Sequence, residues 1–153
     1  MISDTATRVR ENTAAATNDA IKRQTEERVS YYAGAGREAI DCRLQELDRE
    51  WDIERALEAH AAGITLAAVV LGVVKDRKWL LVPGVVAAFL LQHAMQGWCP
   101  PLPLLRRLGF RTEAEINFER YALKALRGDF REVEPAVDEQ GRAKAAVALR
   151  AVE

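Results

Sequence analysis

The sequence predicts an all-α protein built on a two-helix transmembrane hairpin with helical cytoplasmic flanks. Charged residues make up 29% of the 153 positions, but residues 59–105 hold only four of them, and these are adjacent, at 75–78. An uncharged run lies on each side of this cluster, and tryptophans bracket the second run. The uncharged runs make membrane lipid an expected partner. Nucleic acid is not expected, because a net charge of −1 lacks the basic excess of nucleic-acid binders.

Three regions follow from this distribution of charge and from the glycines that separate polar from apolar segments. Residues 1–35 are a polar N-terminal helical extension. Residues 36–110 form the hairpin, with spans at about 56–74 and 79–98. Residues 111–153 carry a C-terminal amphipathic helix and a polar tail.

The two spans differ in how clearly they reach membrane length. Residues 79–98 are 20 uncharged positions, which matches the roughly 20 residues needed to cross about 30 Å of hydrocarbon. Residues 61–74 are only 14, and reach that length by including 56–60, with Glu58 and His60. Trp79 and Trp98 stand where interfacial aromatic residues are expected, and Pro100 stops the helix beyond them.

Small residues four positions apart recur on both spans and let helix backbones approach closely in lipid. The short connection makes the two helices antiparallel neighbours. Since two helices alone bury few groups in a membrane, we expect a homo-oligomer. The candidate helix-packing residues are Gly63, Ala67, Ala68, Gly72, Gly84 and Ala88.

The flanks of the hairpin carry seven Lys and Arg residues against three in the connection, which favours both termini in the cytoplasm. Residues 102–110 are short, apolar and basic, and are expected to lie in the interface plane. The candidate interface anchors are Trp51, Trp79, Trp98, Arg106 and Arg107.

Helices are also predicted on both sides of the hairpin. Ile40, Leu44 and Leu47 share one helical face with Trp51, which predicts a helix from Arg37 that continues unbroken into the membrane. A capping box at 112–115 predicts a second helix to about 126, ended by a glycine at 128. These flanking helices are candidate surfaces for a cytoplasmic protein partner.

Polar residues inside or beside a span are candidates for function. His60 and His93 are equally distant from the centre of the connection, so an antiparallel hairpin places them at one depth. They could hold a metal or haem, but interfacial hydrogen bonding is favoured, and no metal or cofactor is predicted. Gln92 and Gln96 share a face and are expected to bond to a neighbouring helix.

Cys99 lies between a tryptophan and a proline where the second span ends. A cysteine there could accept sulfane sulfur or act in redox chemistry, but the sequence shows no positioned base. The alternative is a small apolar residue that closes a tight turn. The sequence contains no GxGxxG, no Walker loop, no HExxH and no Ser/His/Asp pattern in a plausible setting.

One family resemblance rests on several short matches. Glu54-Arg55, two apolar spans, Gly97-Trp98-Cys99-Pro100 and then Leu108-Gly109 resemble the YgaP-like inner-membrane family. The resemblance covers about 47–110 and implies a small two-span protein of the bacterial inner membrane. The family has no well-established general activity, so it implies fold and location more than function.

The sequence therefore favours an integral bacterial inner-membrane protein that is a non-enzymatic, self-associating membrane or interaction module. One alternative is transport or sensing of small sulfur species through Cys99 in an oligomer. A second alternative is a soluble helical bundle in which residues 61–98 are a buried hairpin. Replacement of Cys99 by serine distinguishes the interaction module from the sulfur transporter, because transport needs Cys99 and a scaffold tolerates the change.

Overall fold

The computed structural model describes residues 7–131, and every regular element among them is helical. The all-α prediction is therefore confirmed for this part of the chain. The predicted polar tail from residue 133 lies outside the described residues. In chain order the elements are α1 (Arg8–Glu11), α2 (Ala15–Ala35), α3 (Arg37–Arg49), α4 (Ile53–Val74), a 3-10 turn (Arg77–Leu80), α5 (Leu81–Gln96), α6 (Leu102–Arg107) and α7 (Glu113–Arg127).

The described residues fall into two compact units. The first holds residues 7–22 and Trp51–Ala114, which include α1, the start of α2, and α4 to α6. The second holds Arg23–Glu50 and residues 115–131, which include the rest of α2, α3 and most of α7.

The predicted unbroken helix from Arg37 into the apolar span is wrong, because α3 ends at Arg49 and α4 begins at Ile53. Glu50 adopts an extended conformation, and so does Asp52. The Asp52 carboxylate accepts a 2.7 Å hydrogen bond from the backbone N–H of Arg55, as an N-cap does. Asp52 therefore starts a new helix where the apolar pattern alone predicted continuation.

Helices α4 and α5 pack against each other and are joined by a tight connection. The carboxylate of Asp76 accepts a 2.8 Å hydrogen bond from the backbone N–H of Lys78 and caps the 3-10 turn. A Cβ atom on Gly72 would lie 2.6 Å from the side chain of Leu80 in the 3-10 turn, so the glycine leaves room for that side chain to lie directly against α4.

Two helical segments, one ending with α4 and one containing α5, are long and apolar enough to cross a membrane. In the most apolar 18-residue stretch of each segment, only 17% is buried in the first and 6% in the second. A core helix of a soluble protein would be mostly buried, whereas these helices turn large apolar side chains outward along their length.

The core of the first unit lies at the end of the hairpin where its flanks meet. It joins α1, α4, α6 and the turn after α5 around six buried side chains: Val9, Ile53, Leu57, Cys99, Leu102 and Leu105. The backbone N–H of Ile53 donates a 2.8 Å hydrogen bond to the carbonyl of Arg111, which ties the start of α4 to the segment before α7.

The second unit combines an apolar core with a buried carboxylate. Its core side chains come from α3 and α7, with Tyr32 packed against them. Glu119 is fully buried and accepts hydrogen bonds from Arg43 at 2.8 Å and from Arg28 at 3.2 Å. Burial lowers the pKa of Arg43, but hydrogen bonds to Glu119 and Glu46 outweigh it and raise that pKa above its ordinary value.

Candidate functional site

Two helix ends meet to form a polar cluster in the first unit. Glu54 lies in the first turn of α4, where the positive end of the helix dipole favours a carboxylate. His93 lies in the last turn of α5, and Gly97, the capping residue after this helix, adopts the left-handed conformation with φ of 73°. Glycine adopts this conformation without strain, and the Gly97 N–H donates to the carbonyl of His93 at 2.7 Å.

The imidazole of His93 is 4% exposed and pairs with the Glu54 carboxylate. Its Nε2 lies 2.8 Å from Oε2 of Glu54. The other carboxylate oxygen, Oε1, accepts a 3.0 Å hydrogen bond from Nη2 of Arg8. Glu54 is therefore held between an arginine on α1 and a histidine on α5, and each of its oxygens has a partner.

The N-terminal segment covers the end of α5. Nη1 of Arg8 donates to the carbonyl of Ala94 at 3.2 Å, and Nδ2 of Asn12 donates to the carbonyl of Gln96 at 2.8 Å. The last carbonyls of a helix lack partners inside the helix, so these bonds satisfy groups that would otherwise need water. The positive charge of Arg8 also suits the negative end of the helix dipole.

Cys99 lies two residues beyond Gly97 and is 4% exposed in the apolar core of the unit. Nδ1 of His93 is buried and has no conventional hydrogen-bond partner among the described residues. The structure thus joins an imidazole, a carboxylate and a guanidinium in series, and places the buried Cys99 in the apolar core of the same unit.

Among residues 7–131, the side chains of the other polar candidates form no hydrogen bond with this cluster. Nδ1 of His60 lies 2.6 Å from the carbonyl of Ala56 in its own helix, and the His60 side chain is exposed. Gln92 is half-buried and Gln96 is exposed. The equal-depth count paired His93 with His60, but the structure pairs His93 with Glu54. That count assumed a symmetric connection, whereas the 3-10 turn lies wholly on the α5 side.

The predicted helix-packing residues divide into two groups. Ala68 and Gly72 are buried, and Gly72 lies against Leu80 inside the hairpin. The other four are exposed: Gly63, Ala67, Gly84 and Ala88. A Cβ atom added at Gly63 or Gly84 would meet nothing within 4 Å.

The predicted interface anchors also differ in exposure. Trp51 and Trp79 are exposed, Trp98 is half-buried and Arg107 is exposed. The Arg55 guanidinium lies 4.5 Å from the centre of the Trp51 ring, a cation–π distance.

The sequence predicts that Arg106 faces the lipid headgroups, but in the structure this residue is buried, with 1% exposure. Its guanidinium donates to Thr13 at 3.2 Å, to Asn18 at 2.9 Å and to the carbonyl of Phe110 at 3.0 Å. Arg106 therefore joins α6 to the N-terminal segment, and of the two adjacent arginines only Arg107 is exposed.

Sequence reasoning missed Arg8, Asn12 and Glu54 as members of the site. Glu54 appeared only within the family resemblance, and nothing in the N-terminal segment marked Arg8 as a partner of a residue 46 positions away. The available signal was that Glu54 begins α4 and His93 ends α5, so an antiparallel hairpin brings both to the same end.

Comparison with known proteins finds no matching family model, no matching curated protein and no matching solved structure. The resemblance to the YgaP-like family therefore stays a prediction. Within residues 7–131, no group of three or more His, Cys, Asp and Glu side chains is suited to hold a metal ion.

Proposed function

We propose that this chain is an integral protein of the bacterial inner membrane, in which α4 and α5 cross the bilayer and self-associate. In this proposal it is a non-enzymatic membrane or interaction module. The observation that carries it is the outward exposure of the hairpin. The exposed side chains include Leu66 at 67%, Val73 at 79%, Leu81 at 72% and Leu91 at 63%. Water would solvate so much apolar surface poorly, and hydrocarbon solvates it well.

The polar groups of the hairpin support the same arrangement. The four charges of the connection are exposed at one end, and the Glu54–His93 pair lies at the other. Trp79 stands beside the connection with 41% exposure, a position typical of an interfacial aromatic residue. Between these ends the helices present apolar side chains, as a bilayer core requires.

Self-association is supported by the small residues that the hairpin leaves uncovered. Ala68 and Gly72 are used within the chain, whereas Gly63 and Ala67 on α4 and Gly84 on α5 are exposed. Helices in lipid associate where small residues let backbones approach. These outward patches therefore suit a second copy of the hairpin.

Alkaline carbonate washing of membranes that contain the tagged chain tests insertion. We expect the protein to stay in the pellet, because hydrocarbon burial does not depend on the ionic contacts that carbonate disrupts. Release into the supernatant would contradict the proposal and favour the soluble-bundle alternative.

The native cysteines make orientation testable. Cys42 is exposed on α3, in the flank proposed to be cytoplasmic, and Cys99 is buried. A membrane-impermeant maleimide should label Cys42 in inside-out vesicles and leave it unlabelled in right-side-out vesicles. Lys78→Cys in a Cys42→Ser background should show the opposite pattern, because Lys78 lies in the connection. The reversed pattern for both positions would place the termini outside.

Oligomer formation is tested with a matched pair of substitutions on α5. Gly84→Leu fills an exposed small-residue patch, and Val85→Leu adds similar bulk at a neighbouring position that is 55% exposed. We expect Gly84→Leu to lower the molar mass in detergent, measured by light scattering, and Val85→Leu to preserve it. A wild-type chain that is monomeric at all concentrations would contradict self-association.

A further inference from the structure

We propose that the charged connection between α4 and α5 binds the phosphodiester headgroup of an anionic phospholipid. The site is a cavity of about 540 Å³ on the connection. Such binding rests on the proposed function, because only an inserted hairpin holds its connection at the depth of the lipid headgroups. The residues that line the cavity are Gly72, Val73, Lys75, Asp76, Arg77 and Leu80.

Two cations of the cavity are available to a ligand. Lys75 follows the last residue of α4, and Arg77 begins the 3-10 turn. Both side chains are exposed, and within residues 7–131 neither forms a hydrogen bond or an ion pair. A guanidinium can donate two parallel hydrogen bonds to phosphate oxygens, and an ammonium adds a point charge. The two side chains therefore suit a phosphate group.

The acidic residue of the cavity is already engaged. Oδ1 of Asp76 accepts a 2.8 Å hydrogen bond from the backbone N–H of Lys78, and Oδ2 lies 4.0 Å from Nζ of the same lysine. Lys78 does not line the cavity, and its charge offsets that of Asp76. Lys75 and Arg77 therefore remain as the positive charges that a headgroup meets.

The rest of the cavity wall is apolar and favours a lipid over a free phosphate ion. Val73 is 79% exposed and Leu80 is 46% exposed. A phosphate ion gains nothing from these side chains, whereas the glycerol and first methylene groups of a phospholipid can cover them. Trp79 precedes Leu80 and is also exposed, as aromatic residues at a membrane interface are. Basic pockets between membrane helices bind anionic headgroups, which is the chemistry expected here.

The test measures which lipid stays bound to the full chain. The chain is purified in an uncharged detergent and incubated with equal amounts of phosphatidylglycerol and phosphatidylcholine that carry the same acyl chains. Free lipid is removed by gel filtration in lipid-free detergent, and the retained lipid is quantified by mass spectrometry. Both lipids contain a phosphodiester, but the choline cation cancels its charge in the second.

Two double variants are compared with the native chain. Lys75→Gln with Arg77→Gln is the test variant, because it removes both available cations of the cavity and keeps polar side chains there. Arg23→Gln with Arg107→Gln is the matched control. It removes two positive charges as well, but both arginines are exposed and lie outside the cavity.

We expect the native chain to retain phosphatidylglycerol over phosphatidylcholine by about tenfold or more, because each basic residue near a headgroup contributes about fivefold in affinity. The control variant should keep this preference. In the test variant the preference should fall to about twofold or less, since both cations that attract the anionic headgroup are gone. An excess of inorganic phosphate should leave the bound lipid in place.

A native chain without a preference, or an equal preference in the test and control variants, would overturn the headgroup site. Displacement of the lipid by inorganic phosphate would overturn the assignment to a lipid, because the phosphate group alone would then be recognised. Carbonate washing of membranes with the same chains measures insertion separately. Retention in the pellet without a lipid preference contradicts the headgroup site alone, whereas release of the native chain contradicts the proposed function and the headgroup site with it.

Discussion

Glu54 and His93 are 39 positions apart in the chain, and their side chains meet with 2.8 Å between Oε2 and Nε2. The first turn of α4 and the last turn of α5 are thereby joined at the end of the hairpin away from its charged connection. A buried imidazole without such a partner would lose its hydrogen bonds to water and gain nothing in return. The pair therefore fixes how the two apolar helices sit against each other at this end.

Loss of the carboxylate should weaken the hairpin measurably. Glu54→Ala leaves Nε2 of His93 buried and unpaired and frees Arg8 from its ion pair. We expect the free energy of unfolding to fall by about 1–3 kcal/mol, the usual cost of a buried polar group left unsatisfied. Thermal unfolding in detergent, followed by circular dichroism, measures this loss.

The control for that experiment is Glu58→Ala, one turn further along α4, where the side chain is exposed. This substitution removes the same charge from the same helix without leaving a buried partner unpaired. Equal losses of stability for the two variants would mean that the Glu54–His93 contact contributes little beyond local charge.

The N-terminal segment should come loose when Gly97 acquires a side chain. A Cβ atom there would lie 2.7 Å from backbone and side-chain atoms of Arg8, and φ is already in the left-handed region. Gly97→Ala should cost about 1 kcal/mol or more and displace α1. Trypsin cleaves after arginine, so faster cleavage after Arg8 and Arg10 reports the displacement.

Gly63→Ala serves as the comparison, because Gly63 lies within α4 and a Cβ there meets nothing within 4 Å. Alanine is the better helix former, so we expect no faster cleavage in this variant. If Gly97→Ala is cleaved as slowly as Gly63→Ala, the segment is held by contacts other than those at Gly97.

How far the sequence predicts this structure depends on the range of the signal. Local composition gave the all-α class and the apolar helices, because hydrophobicity and helical periodicity are properties of short segments. It also gave the end of α7 near a glycine, which has φ of 93°. The pairing of His93 with Glu54 was not predicted, because it depends on how two helices meet across an asymmetric connection.

Arg106 shows a second limit of sequence reasoning. A basic residue beside an apolar helix suggests a headgroup contact, and burial of arginine is rare enough that nothing favoured it. The structure supplies the compensation in Thr13 and Asn18, which lie about 90 positions earlier in the chain. Partners at that separation leave no periodic pattern, so they become visible only once the fold is known.

In the second unit, Glu119 should be the most sensitive charged position. It is fully buried between Arg43 and Arg28, so its removal leaves two arginines without their common partner. We expect Glu119→Ala to cost about 3 kcal/mol, the lower end for breaking a buried ion pair. Glu119→Gln should cost less, because the amide oxygen still accepts a hydrogen bond. Chemical unfolding of the full chain, followed by far-ultraviolet circular dichroism, gives both values.

Glu27→Ala is the matched control, since Glu27 is exposed on α2. Its effect should stay within about 0.5 kcal/mol, as is usual for surface positions. An effect of Glu119→Ala no larger than that of Glu27→Ala would show that the arginines find equivalent partners without the carboxylate.

Acid should weaken the end of α7 through Asp129. Its hydrogen bond to Arg127 holds the pKa of this carboxyl below its ordinary value, and the charges of Arg127, Lys124 and Arg37 act in the same direction. Because the folded-state pKa is the lower one, the stabilisation is complete above the ordinary value of about 3.9 and is lost as the pH falls through the folded-state pKa. Asp129→Asn removes this contribution.

The thermal midpoint of Asp129→Asn should therefore fall less between pH 5 and pH 2 than that of the wild type. Glu113→Gln is the comparison, since Glu113 is an exposed carboxyl at the other end of α7. Both substitutions turn a carboxylate into an amide, but only Asp129 lies against Arg127, with 2.5 Å between Oδ2 and Nη2. If the two variants lose stability in acid to the same extent as the wild type, the Arg127–Asp129 contact does not stabilise the fold in solution.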